Sequence, residues 1–254
     1  MELYHKISGQ GPALIVLHGL FGSSDNWASH ARVWSSDFSV YLVDQRNHGR
    51  SPHAPTLTYA DMAHDLADFM DQQGITRAYL LGHSMGGKTV MQMAAWDPER
   101  VEKMIVADMA PKAYPPHHQA VLHALREMDL SRVQTRQEAE SMMARLLDDP
   151  VQGQFLLKSL TRDEQQLFRW RFNLPVILRD YEAILADIET LYPVETPTLF
   201  LYGGRSNYLR PEDKTSILAR FPQATFDVIP EAGHWLHADN PPVFLQKVRD
   251  YLLS

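Results

Sequence analysis

Apolar residues along the chain gather into six short runs at residues 13–17, 40–43, 78–81, 104–107, 198–202 and 225–229. Most of these runs are continuous rather than alternating, as in Ala13-Leu14-Ile15-Val16-Leu17. A strand buried on only one face alternates, so continuous runs predict strands covered on both faces. Between the runs the spacing changes. Met62, Leu66, Phe69 and Met70 recur at helical intervals, as do Val90, Met91 and Ala94. Strands alternating with helices predict a mostly parallel, twisted sheet flanked by helices on both sides. Ligands of such sheets bind at the carboxyl ends of the strands.

The rhythm breaks between residues 112 and 190. No buried-strand run occurs there, and helical spacing takes over at Val121, Leu122, Leu125 and Met128, then at Met142, Met143, Leu146 and Leu147. Ala110-Pro111 and Tyr114-Pro115-Pro116 mark the entry, and Tyr192-Pro193 with Thr196-Pro197 marks the return. The expected organisation is a core of residues 1–111 and 191–254 with a helical cap, 112–190, inserted into it.

Composition removes several function classes. The net charge of −7 does not suit a general nucleic-acid binder, which needs a basic face for phosphate. The absence of cysteine excludes disulfides, thiolate metal sites and a thiol nucleophile, and it suits a reducing cytosol. No basic start followed by an apolar run appears at the N-terminus, and the longest apolar stretch is far too short to span a membrane. A cytoplasmic location is therefore expected. The pattern does not specify an oligomeric state.

The chemistry-bearing residues follow the predicted strands. Gly82-His83-Ser84-Met85-Gly86 sits between the third run and a helical pattern, the strand–turn–helix setting in which a G-x-S-x-G serine is a nucleophile. The Met85 N–H, at the start of that helix, is one expected oxyanion donor. His18-Gly19-Leu20-Phe21-Gly22 follows the first run, and a His-Gly pair there shapes the second half of such a hole. Its donor is assigned to Leu20, with Phe21 as the other choice. Gly233-His234-Trp235 follows the last run, where chain order in this type of sheet puts the general base. His237 is the nearest rival and is expected in or beside the next helix. His83, next to the nucleophile on a sharp turn, should point elsewhere. His18, Phe21 and Trp235 are expected to line the substrate pocket.

These motifs, together with Gly87-Lys88 and Asp44-Gln45-Arg46-Asn47-His48-Gly49-Arg50-Ser51, resemble the α/β-hydrolase family across nearly the whole chain, in particular the YbfF-like bacterial esterases. The resemblance implies hydrolysis of carboxylic esters, acyl-CoA thioesters included, with a small-molecule acyl substrate and no cofactor or metal. Many relatives carry the triad acid in a Gly-x-x-Asp turn after the penultimate strand. Here that turn reads Gly203-Gly204-Arg205-Ser206, and a serine cannot supply the charge that orients a histidine. Asp108, at the end of the fourth run, is the expected acid, as in some similar esterases. Asp213 and Asp44 are less well placed. Asp44, Arg46 and Ser51 are expected to brace the oxyanion loop, and Lys88 to lie on the surface of its helix. Lys158, Arg162, Arg169, Arg171 and Arg179 are either paired with Asp163, Glu164 and Asp180 or form a landing site for an anion such as the phosphates of CoA. The same fold also serves C–C bond hydrolases and cofactor-free haloperoxidases. A ligand-binding module without turnover is the alternative from another class.

Overall fold

The computed structural model describes residues 1–254. Nine strands are present: β1 (His5–Ser8), β2 (Ala13–Leu17), β3 (Ser39–Val43), β4 (Ala78–His83), β5 (Val101–Ala107), β6 (Leu160–Arg162), β7 (Phe168–Trp170), β8 (Thr198–Gly203) and β9 (Ala224–Ile229). Seven form one sheet in the order β1-β3-β2-β4-β5-β8-β9. Only β1 pairs antiparallel, with β3; every other pairing in that sheet is parallel. All six apolar runs are strands of this sheet.

The continuous apolar character of the runs follows from what covers each face. Ile15 and Leu17 of β2, Leu80 of β4 and Met104 and Val106 of β5 enter one core. Leu14, Val16, Leu81, Ile105 and Ala107 enter the other. The first face is covered by α2 (Tyr59–Gln72) and α3 (Met85–Trp96), the second by α1 (Ala28–Trp34) and, at the far end of the chain, a helix over Pro241–Leu253. Thr58 starts α2 by accepting a hydrogen bond from the Asp61 N–H at 3.1 Å, which satisfies one of the helix's orphan donors.

Between β5 and β8 lie α4 (Gln119–Glu127), α5 (Arg136–Leu146), α6 (Pro150–Leu157), α7 (Leu174–Arg179) and α8 (Tyr181–Leu185). The segment expected as a helical cap also contains two short strands. β6 and β7 form an antiparallel hairpin there, with three residues in each strand. Three residues are too few to show strand periodicity against a helical background. After β8 come α9 (Asp213–Arg220), α10 (Leu236–Asp239) and α11, the Pro241–Leu253 helix. No helix is long and apolar enough to cross a membrane.

The two ends of the inserted segment lie side by side. The Tyr114 N–H donates to the Leu185 carbonyl at 2.9 Å. Lys88 of α3 is fully buried and donates to the carbonyls of Lys112 (2.8 Å), Leu185 (3.3 Å) and Ala186. This corrects the surface role expected for Lys88: it clasps the chain where it leaves the sheet and where it returns. Gln92, one turn further along α3, bonds both backbone groups of Glu189. Arg220 adds the Pro111 and Ile188 carbonyls and the Asp187 carboxylate.

Candidate active site

β4 passes into α3 through a single residue, Ser84, held at φ 52° and ψ −116°. A non-glycine residue at positive φ is strained by roughly 1–3 kcal/mol and persists only where its surroundings over-determine it. They do so here by close backbone packing. A Cβ on Gly82 would lie 2.1 Å from the Gly86 carbonyl oxygen, and one on Gly86 would lie 2.6 Å from that of Leu17. The two glycines of the motif are therefore steric requirements of the turn. The turn is pinned by the Ser84 N–H, which donates to the Ala107 carbonyl at 3.0 Å. The Met85 N–H opens α3 and has no intrahelical acceptor, so it is free to meet a developing negative charge.

His234, on the loop after β9, lies with Nε2 3.0 Å from Ser84 Oγ. Its Nδ1 lies 2.7 Å from Asp108 Oδ2. With the carboxylate accepting from Nδ1–H, Nε2 is left as the acceptor facing the serine hydroxyl. Asp108 follows β5 directly, at φ 51°, and is fully buried. Its Oδ1 accepts the Gly203 N–H at 3.1 Å, and its Oδ2 also accepts the Ser206 hydroxyl. The structure thus brings the three predicted residues together. Ser206, in the turn where many relatives carry the acid, contributes a hydrogen bond to the acid at residue 108. Asp44 and Asp213 lie elsewhere: Asp44 accepts from the backbone N–H groups of Ser24 and Arg50, and Asp213 pairs with Lys112.

The loop after β2 faces the serine. Neither Leu20 nor Phe21 N–H has a backbone acceptor. Phe21 sits at φ 63°, its carbonyl accepting the Ser159 hydroxyl at 2.8 Å and its ring standing edge-on to Phe172, 5.1 Å away. The inserted segment thus holds the loop after β2 in a strained conformation. His18 borders the cavity, yet both of its ring nitrogens are engaged: Nδ1 donates to the Gly19 carbonyl (2.8 Å) and Nε2 accepts the Gln45 N–H (3.0 Å). It shapes the loop and offers no free polar atom. Of the network expected to brace this loop, Asp44 takes part through Ser24, whereas Arg46 is directed to Asp65 and Asp61 of α2.

The cavity over Ser84 has a volume of about 290 Å³. Leu20, Phe21, Val121, Phe155, Leu156 and Trp235 give it apolar walls, and none of its lining residues is a lysine or arginine. Burial, with smaller contributions from neighbouring histidines, pushes His118 and His237 down to about 3 and His83 well below the ordinary histidine range. These three rings add no positive charge at neutral pH. His237 is no rival base: it stacks on Trp27 at 4.4 Å. His83 Nε2–H donates to the His234 carbonyl at 2.9 Å, supporting the His234 loop from behind. The cap cations lie outside this cavity. Arg169 and Arg171 line a separate cleft with Arg50 and His53, Arg171 pairs with Asp25, and Arg179 pairs with Asp180.

Three residues around His234 and Asp108 have contacts that sequence reasoning does not supply. Tyr208 lies flat on His234, and Ser206 and Gly203 hold the acid. A Ser-Asn-Tyr loop carries no signal of its own; only the missing aspartate at position 206 drew notice to that turn.

Comparison with known proteins agrees with this architecture. The family described as alpha/beta hydrolase fold matches residues 12–241. The chain is 41% identical over 240 residues to Esterase YbfF of Escherichia coli (strain K12), spanning 94% of this chain and 92% of that one. It is 36% identical over 259 residues to the sn-1-specific diacylglycerol lipase ABHD11 of Mus musculus, spanning 98% of this chain and 84% of the other. Among solved structures, a marine microorganism esterase superposes with a TM-score of 0.96 at 42% identity, over 98% of both chains. The chain belongs to the α/β-hydrolase fold family.

Proposed function

We propose that the protein is a serine esterase that hydrolyses small carboxylic esters, and acyl-CoA thioesters where the leaving group fits, through an acyl-enzyme. The observation that carries this reading is the unbroken relay from Asp108 Oδ2 through His234 to Ser84 Oγ, with steps of 2.7 Å and 3.0 Å. His234 takes the hydroxyl proton as Ser84 attacks the acyl carbonyl. The Met85 and Leu20 N–H groups receive the oxyanion. The imidazolium, stabilised by the buried carboxylate, then protonates the leaving alcohol or thiol. Water activated by the same imidazole releases the acid. The residue segment 112–190 acts as a cap that walls the acyl pocket. Esterase and lipase names among relatives at 36–41% identity support the reaction class.

The cavity favours neutral acyl groups. An acyl chain bearing its own carboxylate would meet apolar walls with no lysine or arginine among the lining residues to pair with, and an unpaired buried charge is costly. The test is a panel of p-nitrophenyl esters and acyl-CoAs of graded length, neutral and ω-carboxylated, run with wild type and Ser84→Ala. Turnover of neutral esters that vanishes in Ser84→Ala is expected. Turnover that survives in that variant would remove Ser84 from the reaction.

A further inference from the structure

We infer that Tyr208 is the positioning residue of the base: its ring fixes the His234 imidazole and stabilises the imidazolium, and its hydroxyl ties that ring to the cap through His117. The inference rests on the serine-esterase reading above. The two rings are nearly parallel, with centroids 3.7 Å apart and planes 15° apart. A cation over an aromatic face is attracted by the ring quadrupole, and the attraction exists only when His234 carries its second proton. It therefore acts in the transition state, when the serine proton has moved.

Tyr208 is held at three points, so its ring is a fixed surface. Its N–H donates to Ser206 Oγ at 3.2 Å, its carbonyl accepts the Tyr114 hydroxyl at 2.7 Å, and its own hydroxyl lies 2.6 Å from His117 Nε2. His117 Nδ1 is within 2.8 Å of the Pro115 carbonyl, which makes Nδ1 the donor and Nε2 the acceptor of the Tyr208 proton. Tyr114 and His117 belong to the segment by which the chain enters the insertion. Movement of that segment away from the sheet would draw Tyr208 off the imidazole, so the base is fully aligned only with the cap seated. Ser206 serves the same loop twice, holding Tyr208 and donating to Asp108. The turn that supplies an acid in many relatives here supplies the supports of an acid placed elsewhere.

The remaining titratable groups around His234 leave this contribution readable. Asp108 is its ion-pair partner after β5, Asp239 of α10 accepts the neighbouring Gly233 N–H, and His83, His118 and His237 approach from β4, the cap and α10. Those three histidines are uncharged throughout the working range.

The experiment compares Tyr208→Leu, which keeps apolar bulk but loses the aromatic face, with Tyr208→Phe, which keeps the face but loses the link to His117. Steady-state kinetics on a p-nitrophenyl ester are followed across pH. Tyr208→Leu is expected to lower kcat about tenfold with KM within about twofold, and to move the acidic limb of kcat/KM down by about half a pH unit. Tyr208→Phe is expected to leave that limb in place and lower kcat only a few-fold. A Tyr208→Leu enzyme with wild-type kcat and an unmoved limb overturns the inference. If that variant does not fold, Tyr208→Trp decides: its stronger face should move the limb upward, and an unmoved limb overturns the inference equally. Ser84→Ala is assayed on the same day. Activity in that variant would defeat the esterase reading itself, whereas an inactive Ser84→Ala beside an unaltered Tyr208→Leu defeats only the role given to Tyr208.

Discussion

Replacing Asp108 with asparagine tests the relay at its least obvious member. The buried carboxylate accepts three hydrogen bonds, from His234 Nδ1, Ser206 Oγ and the Gly203 N–H. Asparagine offers one oxygen and one amide, and two orientations are open to it. With its oxygen toward Gly203, its NH₂ faces His234 Nδ1. Nδ1 must then become an acceptor, and the ring proton moves to Nε2, which points at Ser84 and can no longer take the hydroxyl proton. With its oxygen toward His234, its NH₂ meets the Gly203 N–H, and a buried donor is left unpaired at a cost of about 1–3 kcal/mol. Exchanging imidazole tautomers costs less than orphaning that donor, so the unproductive arrangement prevails. A base locked in the wrong tautomer loses about 10⁴ in kcat, or about 5.4 kcal/mol of transition-state stabilisation. The assay is kcat on a p-nitrophenyl ester at about pH 8, with thermal unfolding of the same preparation as the control for folding. A folded Asp108→Asn protein with kcat within tenfold of wild type would refute the reasoning.

Adding Ser206→Asp to Asp108→Asn should restore on the order of tenfold in kcat over Asp108→Asn alone, because the Ser206 hydroxyl already touches the oxygen that His234 uses; no recovery would show that position 206 cannot reach the ring. Gly86→Ala places a Cβ 2.6 Å from the Leu17 carbonyl, and overpacking of about 2 kcal/mol should lower Tm by roughly 4–8 °C as well as abolish turnover; calorimetry showing an unchanged Tm would contradict the packing argument. Burial pulls the Lys88 ammonium from 10.5 down to about 7. Between those values the unfolded chain binds more protons, so this group's contribution to stability rises with pH through that window, and below about 7 the full cost of burying the charge is present. Urea unfolding should show wild type gaining roughly 2 kcal/mol relative to Lys88→Met between about pH 7.5 and 9, and parallel curves would disprove it.

The sheet was largely legible because its inner strands are covered on both faces, which leaves an unbroken apolar run in the sequence. β1 was not, since His5-Lys6-Ile7-Ser8 is a polar edge strand that owes its place to antiparallel pairing with β3. Ser84, Asp108 and His234 were readable because the turns that present them need particular neighbours or follow particular strands. Lys88 was misread because a lysine on a helix is solvated by default. Only three carbonyls distant in sequence, one 24 positions away and two 97 and 98 positions away, turn its position into an interior one. Tyr208 and Ser206 act through distances that no local pattern encodes.

The convergence of the Lys112 and Ala186 carbonyls on one ammonium bears on how such a protein can change over time. The insertion departs and returns at nearly a single point, so its length and shape are decoupled from the strand spacing beneath. A foreign lid could be transplanted as a cassette between those two carbonyls, provided that its ends meet the same lysine. Swaps made there would alter which acyl chains are admitted, and would keep the reacting groups in register only where the new lid replaces the partners that Tyr114, His117 and Ser159 give to Tyr208 and Phe21.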